Sequence, residues 1–500
     1  MPANGDGRAR VRPADRPGGV AAARSGSGAK AGAKAGGGPG ARAGAAARPV
    51  RPARPARDRP NRAGVPPQAG ETSVALFRSA SGLGRPGAAW ARFQRGLARP
   101  LTPYYLLLGS SAMILSLGLV MVFSASQIEA RNDGLPFAYF FEKQLTSVVI
   151  GSGLMYVAAR MPVRLHRALA YPLLLAVIAL LVLVALPGVG TSVNGNRNWI
   201  RLGGPIQIQP SEFAKLALVL WGADLLARKQ QHRMLDQWKH LLVPLAPMAV
   251  LLLTLVLAGG DMGTAMIICA LLFGLLWISG APMRLFGAAA AIALSFSAAL
   301  IVLVPHRLGR LNCIGATHMP ADGSCWQAVH GVYALATGRL FGTGLGASIE
   351  KWGQLPEPHT DFIFAVTGEE LGLAGTLSVL ALFAALGYAG IRVAERTKDP
   401  FTRYAAGAAT TWIMAQAVIN IGAVLGLLPI AGVPLPMFSY GGSALLPAMF
   451  AVGMLLCFAR SEPAAKAALA ARNTRARGRL LGLPHRTIAR LGKARPRRER

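Results

Sequence analysis

HTDFIFAVTGEELGLAG, running from His359 to Gly375, places Asp361, Glu369 and Glu370 at the mouth of a long apolar segment. Carboxylates beside lipid are costly. The chain has only 21 Asp and Glu in 500 residues, so three of them at one helix entrance point to function. A straight helix from Asp361 to Arg392 would measure about 46 Å at about 1.5 Å per residue, against a hydrocarbon core of about 30 Å. Its first turns must therefore project, break or re-enter.

The same apolar character recurs along the chain. Hydrophobic residues make up 53% of it and the mean hydropathy is +0.41, the composition of an integral membrane protein. Ten apolar segments, at 104–127, 145–159, 168–187, 212–227, 241–258, 262–280, 285–304, 362–391, 404–428 and 442–459, predict ten transmembrane helices. Continuous Leu- and Ala-rich runs without even-spaced alternation argue against a transmembrane barrel. The expected fold class is thus an all-α polytopic membrane protein.

Charge orients this bundle. Arg160, Arg164 and Arg167, then Arg228, Lys229, Arg233 and Lys239, then Arg284, then Arg392, Arg396, Lys398 and Arg403 fall in alternate loops, the pattern of the cytoplasmic side. Both termini lie with these basic loops, as ten spans require. Asp361 and the long loop 305–360, between the seventh and eighth helices, then face outward.

Most of the formal +32 sits in the tails: residues 1–100 hold 19 Lys and Arg against 4 acids, and residues 460–500 hold 13 against 2. Residues 1–100 read as a disordered basic cytoplasmic tail, 101–460 as the membrane domain and 461–500 as a second basic tail. The tails lack interleaved aromatics and any nucleic-acid-binding pattern, which favours attraction to anionic lipid over nucleic acid. No apolar stretch precedes residue 104, so no cleavable signal peptide is expected.

Three outer elements carry chemistry. VNGNRNWIRLGGPIQIQPSEFAKLALVL, Val193 to Leu220, joins a turn-rich loop bearing Arg197, Trp199 and Arg201 to a helix that Ser211 can cap. Glu212 and Lys215, three apart on that helix, share a face and can pair inside the bundle. The reading weighed against a structural ion pair is a site for an anionic, amphipathic substrate held by the guanidinium groups and the tryptophan. The second element, Gly259-Gly260-Asp261-Met262-Gly263-Thr264, makes Asp261 either a helix cap or a site carboxylate. The third is the opening stretch. There Asp361 suits a carboxylate that stays ionised and accepts a proton, whereas Glu369 and Glu370, deeper in the helix, suit support of the site. Outside the helices, Cys313 and Cys325 are a candidate disulfide of the outer loop. With His318 and His330 they also make a C-x4-H-x6-C-x4-H pattern, whose spacing fits no standard zinc module.

NGNRNWIRLG followed by QPSEFAKLAL, GDMGTA, LPEPHTDFIFAVTGEELGLAG, and LPMFSYGGSALL from Leu435 to Leu446 occur in the order and spacing of the SEDS family, the FtsW/RodA proteins, which the chain resembles over residues 101–460. The resemblance implies a ten-helix protein of the cytoplasmic membrane that polymerises lipid II into glycan strands outside the cell. It further implies a class B penicillin-binding protein as transpeptidase partner. It makes Asp361 the essential aspartate, with His359 and Thr360 beside it, and matches Trp199, Arg197 and Arg201 to the conserved loop and Glu212 and Lys215 to the buried polar pair. Asp261, Glu369, Glu370 and Ser443 are carried over as supporting residues. In that reading Asp361 takes the acceptor hydroxyl proton while Arg197, Arg201 and Lys215 neutralise the departing pyrophosphate. No metal ligands are assigned, and assistance by a divalent cation is left open.

The chain departs from the family pattern at Gly259-Gly260, where Gln-Pro is usual, and at Asp322 to Gln327, where a Gly-Tyr-Gln pattern is usual. The long basic tails and the KWGQLPEPHTDF wording are nearer the division branch, in a high-GC, actinobacterial type of bacterium, with the elongation branch as the alternative. A lipid II flippase and a non-catalytic division scaffold are the competing classes. A flippase needs a path between leaflets, whereas the polar residues named here crowd the outer side.

Overall fold

The computed structural model describes residues 96–97, 99–193, 196–201, 207–232, 242–288, 290–291, 313–316 and 325–480, with side chains to 472. Among these, the helices are α1 (Thr102–Asn132), α2 (Tyr139–Arg160), α3 (Val163–Ala168), α4 (Ala170–Ala185), α5 (Pro210–Gln231), α6 (Leu245–Ala258), α7 (Met262–Ile278), α8 (Trp326–Thr337), α9 (Ile363–Arg396), α10 (Pro400–Val424), α11 (Gly442–Ser461) and α12 (Pro463–Leu480). Nine of the ten expected apolar segments coincide with described helices. The remaining one, 285–304, and the expected tail 1–100 lie largely outside the described residues, whereas the expected tail 461–500 is described to Leu480 and opens with α12. Five helical spans are long and apolar enough to cross a membrane, and α6 and α7 are shorter apolar helices.

The expectation of an all-α chain needs one correction. Residues 191–208 include a small antiparallel sheet, β1 (Thr191–Val193), β2 (Asn196–Arg201) and β3 (Gln207–Ile208), with Thr191 opposite Trp199 and Ile200 opposite Ile208. Alternation of Arg197, Trp199 and Arg201 with Asn198 and Ile200 is a strand period, which buries Asn198 and Ile200, leaves Arg197 and Trp199 half-buried and exposes Arg201. A second correction concerns the start of α5. Gln209 stands at the cap without a side-chain bond, Pro210 opens the helix, and the Ser211 hydroxyl is turned to Asp261 instead. Proline suits that first position because its missing N–H would have no helical partner.

Packing centres on α5, α10 and α11, whose Ala-, Leu- and Gly-rich surfaces are buried on most sides; α11 lies along α2, and α9 lies between α1 and α10. Gly118 of α1 brings the 425–441 connector close. A Cβ there would stand 2.6 Å from the Phe438 carbonyl oxygen.

α9 is broken. At Gly372 the backbone takes φ 69° and ψ −164°, a conformation open in practice only to glycine. The break strands helical donors and acceptors, and the 339–344 segment meets them. Leu373 N and Ala374 N donate to the carbonyls of Arg339 (2.9 Å) and Leu340 (3.2 Å), while Thr343 N and Gly344 N donate to those of Glu369 (2.9 Å) and Glu370 (3.1 Å). A Cβ on Gly372 would lie 2.6 Å from the Leu340 carbonyl. Gly372→Ala is therefore expected to cost about 1–3 kcal/mol, read as a lower Tm in detergent, whereas Gly153→Ala, in open space on α2, should leave Tm unchanged or slightly raised.

Candidate functional site

A cavity of about 470 Å³ opens at the end of the bundle where α9 begins. Its wall is assembled from four places: Glu129 at the end of α1, Asn196, Asn198 and Trp199 of β2, Asp261 at the start of α7, and His359, Thr360 and Asp361 before α9. The connector after α10 closes the remaining side with Pro434 and Tyr440, and Ser443 of α11 joins it. Asp361 is half-buried on this wall. Its backbone carbonyl accepts from Asn420 Nδ2 at 2.7 Å, and the same amide reaches the Val433 carbonyl at 2.8 Å. One α10 side chain thus ties the Asp361 turn to the connector opposite it.

Asp261 serves as cap and as wall together. One carboxylate oxygen accepts from Thr264 N at 2.9 Å, and the other from Gln209 Nε2 and Ser211 Oγ, both at 2.7 Å. Ser443 Oγ accepts from Gln209 N at 2.8 Å, so α5, α7 and α11 meet at Gln209. Thr360 Oγ1 donates to Glu357 Oε2 at 2.7 Å.

His359 is buried between the rings of Phe140 and Tyr440, at centroid distances of 5.0 and 5.1 Å. Its Nδ1 lies 2.8 Å from Glu129 Oε2 but out of line for a hydrogen bond. Burial, with the charges of Tyr139 and Glu129 secondary, pushes the Tyr440 phenol up to about 12. It remains a neutral hydroxyl at neutral pH.

Glu369 and Glu370 do not line the cavity, and both are fully buried. Glu369 accepts from Ser348 Oγ at 2.5 Å and Ile349 N at 2.8 Å. Glu370 accepts from Lys351 Nζ at 2.8 Å and Ser124 Oγ at 2.7 Å. The Lys351 ammonium also donates to the Gly346 carbonyl at 2.8 Å. The two glutamates therefore fasten the loop that ends in Asp361, acting through its backbone path. Cys313 and Cys325 are bridged to each other, at the start of α8.

Four residues expected at the substrate, Lys215, Glu212, Arg197 and Arg201, do not line the cavity. Lys215 is fully buried, 2.6 Å from Glu212 and 3.0 Å from Gln416 Oε1, and neither member of the pair lines the cavity. Gln416 in turn donates to the Pro434 carbonyl at 2.9 Å, which makes Lys215 an anchor for the connector. Arg197 donates to the carbonyls of Leu186 and Gly190, bracing the sheet. Arg201, exposed at the end of β2, is likewise off the cavity wall. Conversely Glu129, Gln209, Glu357 and Tyr440 line it without having been singled out from sequence. Glu129 is far from Asp361 along the chain and no local pattern marks it, whereas Tyr440 lies within the LPMFSYGGSALL stretch without standing out from it. Among the described residues, no cluster of three or more His, Cys, Asp or Glu side chains could hold a metal ion.

Residues 105–463 match the FtsW/RodA/SpoVE family model, described as a cell cycle protein. The chain belongs to that family. A Mycobacterium tuberculosis protein named probable peptidoglycan glycosyltransferase FtsW is 39% identical over 438 residues, covering 87% of this chain and 82% of its own. Stage V sporulation protein E of Bacillus subtilis is 35% identical over 359 residues, 72% and 97% of the two chains. Among solved structures, a chain of a peptidoglycan synthase complex described as coordinating polymerization and crosslinking superposes with a TM-score of 0.59 at 27% identity, covering 71% of this chain and 97% of its own. Thermus thermophilus RodA does so with a TM-score of 0.53 at 27% identity, covering 72% and 97%.

Removing one partner of the buried Lys351–Glu370 pair leaves an uncompensated charge, a loss of about 3–5 kcal/mol. Lys351→Met and Glu370→Gln are each expected to lower Tm strongly. The double variant should lose clearly less than the two single losses added together, read by a double-mutant cycle on thermal unfolding.

Proposed function

We propose that the chain is a peptidoglycan glycosyltransferase of the cytoplasmic membrane that polymerises lipid II at the outer face, at the division septum, with a class B penicillin-binding protein as its transpeptidase partner. The observation that carries this reading is the half-buried Asp361 facing a polar cavity in a chain whose relatives are named for that activity. Topology enters as part of the proposal: ten spans, both termini cytoplasmic, with basic tails over 1–100 and 461–500.

The acceptor sugar's 4-hydroxyl attacks the anomeric carbon of the donor, undecaprenyl pyrophosphate leaves, and the configuration inverts. Asp361 accepts the hydroxyl proton. It needs only to be held ionised and aimed, and the Asn420 bond to its carbonyl fixes the turn that aims it. A second carboxylate acting as general acid is unnecessary, because pyrophosphate is already a good leaving group, unlike the sugar oxygen of glycoside hydrolysis. Trp199 offers an apolar face for a sugar ring. Of the three cations first assigned to the pyrophosphate, Arg201 keeps that role: it is exposed at the end of β2, two residues from Trp199 on the cavity wall. Lys215 and Arg197 act by holding the connector and the sheet.

The deciding assay supplies lipid II to the purified chain with its transpeptidase partner and measures glycan polymer. Asp361→Asn is expected to abolish polymer while Tm stays within a degree or so of wild type. Absence of polymer from the wild-type complex would overturn the enzyme reading. Equal polymer from the variant would remove Asp361 from its role.

A further inference from the structure

The loop that fastens α9 is inside out. Between residues 339 and 352 its large apolar side chains point away from the protein: Leu340, Phe341, Leu345, Ile349 and Trp352 are 60–85% exposed. Its polar groups point inward, with Ser348 and Lys351 buried on Glu369 and Glu370, and Glu350 on His330 at 2.6 Å. A loop bathed in water has the opposite arrangement, and a contiguous apolar patch of this kind marks an interaction surface.

Depth says what it interacts with. Ala374 N donates to the Leu340 carbonyl, so the two residues lie level. Arg392, beside Glu395 at 3.3 Å, marks the polar end of α9. Along a helix the distance from Ala374 to Arg392 is about 27 Å, less than the hydrocarbon thickness of about 30 Å. The patch is also continuous with Leu373, Leu377 and Leu380, the exposed apolar stripe of α9 itself. Irregular backbone at such a depth requires internal hydrogen bonds, and the reciprocal bonds with the broken helix supply them. Arg339, the exposed cation at the start of the loop, can extend its guanidinium to headgroup phosphates.

We propose that residues 340–352 form a re-entrant membrane segment, with Leu340, Phe341, Leu345, Ile349 and Trp352 seated among the acyl chains of the leaflet nearest the cavity. The cavity floor is then held at headgroup level by lipid contact as well as by the two buried glutamates. This inference is independent of the proposed reaction.

The test uses the full chain in phosphatidylcholine/phosphatidylglycerol nanodiscs, with Cys269→Ala and Cys457→Ala so that only introduced thiols take a nitroxide label. Labels at Leu345→Cys and Ile349→Cys are expected to collide with oxygen several-fold more, relative to a water-soluble nickel chelate, than a label at Asp133→Cys. They should match Leu377→Cys. Chelate collision equal to that at position 133 would overturn the proposal, and so would protection from both reagents, the signature of a protein partner or a second copy. A second readout needs no thiol: quenching of tryptophan emission by brominated lipid should fall measurably in Trp352→Phe, and unchanged quenching would count against the proposal.

Discussion

A helix cannot be interrupted next to a membrane unless every backbone group it releases finds a new partner. That constraint governs this molecule at Gly372. Four reciprocal backbone bonds between the broken turn of α9 and residues 339–344 meet it. Everything that positions Asp361 follows: the first part of α9 is set at a new angle, the loop leading to it is drawn against the break, and Glu369 and Glu370 become acceptors for that loop.

The charged residues divide into two kinds by this logic. Glu212, Lys215, Glu369, Glu370 and Lys351 are buried and paired, and their energetic effect is on geometry, because separating any of them from its partner leaves a charge in a poorly hydrated interior. Asp361 and Glu357 instead face the cavity. The family's polar motifs thus describe a scaffold and a cavity lining together. Lys215 illustrates the first: its reach ends at Gln416 and, through it, at Pro434 of the cavity wall.

Apolar length and loop charge were legible along the chain because hydrophobic runs and basic clusters are local properties, and nine of the expected helices coincide with described ones. The crowding of motifs around Asp361 was legible for the same reason. The strand period at 196–201 was also present, in the alternation of Arg197, Trp199 and Arg201 with Asn198 and Ile200, but a turn-rich reading masked it.

Sequence by itself determined the membrane class, the family and the aspartate at the head of α9, since each rests on composition or on a contiguous motif. Only the tertiary structure decided which carboxylates share a cavity. Glu129 and Asp361 are separated by more than two hundred residues and meet because α1 packs along α9. It likewise placed Arg197 and Lys215 on internal acceptors off the cavity wall, because a long cationic side chain goes to whichever acceptor burial leaves within reach. No pattern along a single chain records that choice.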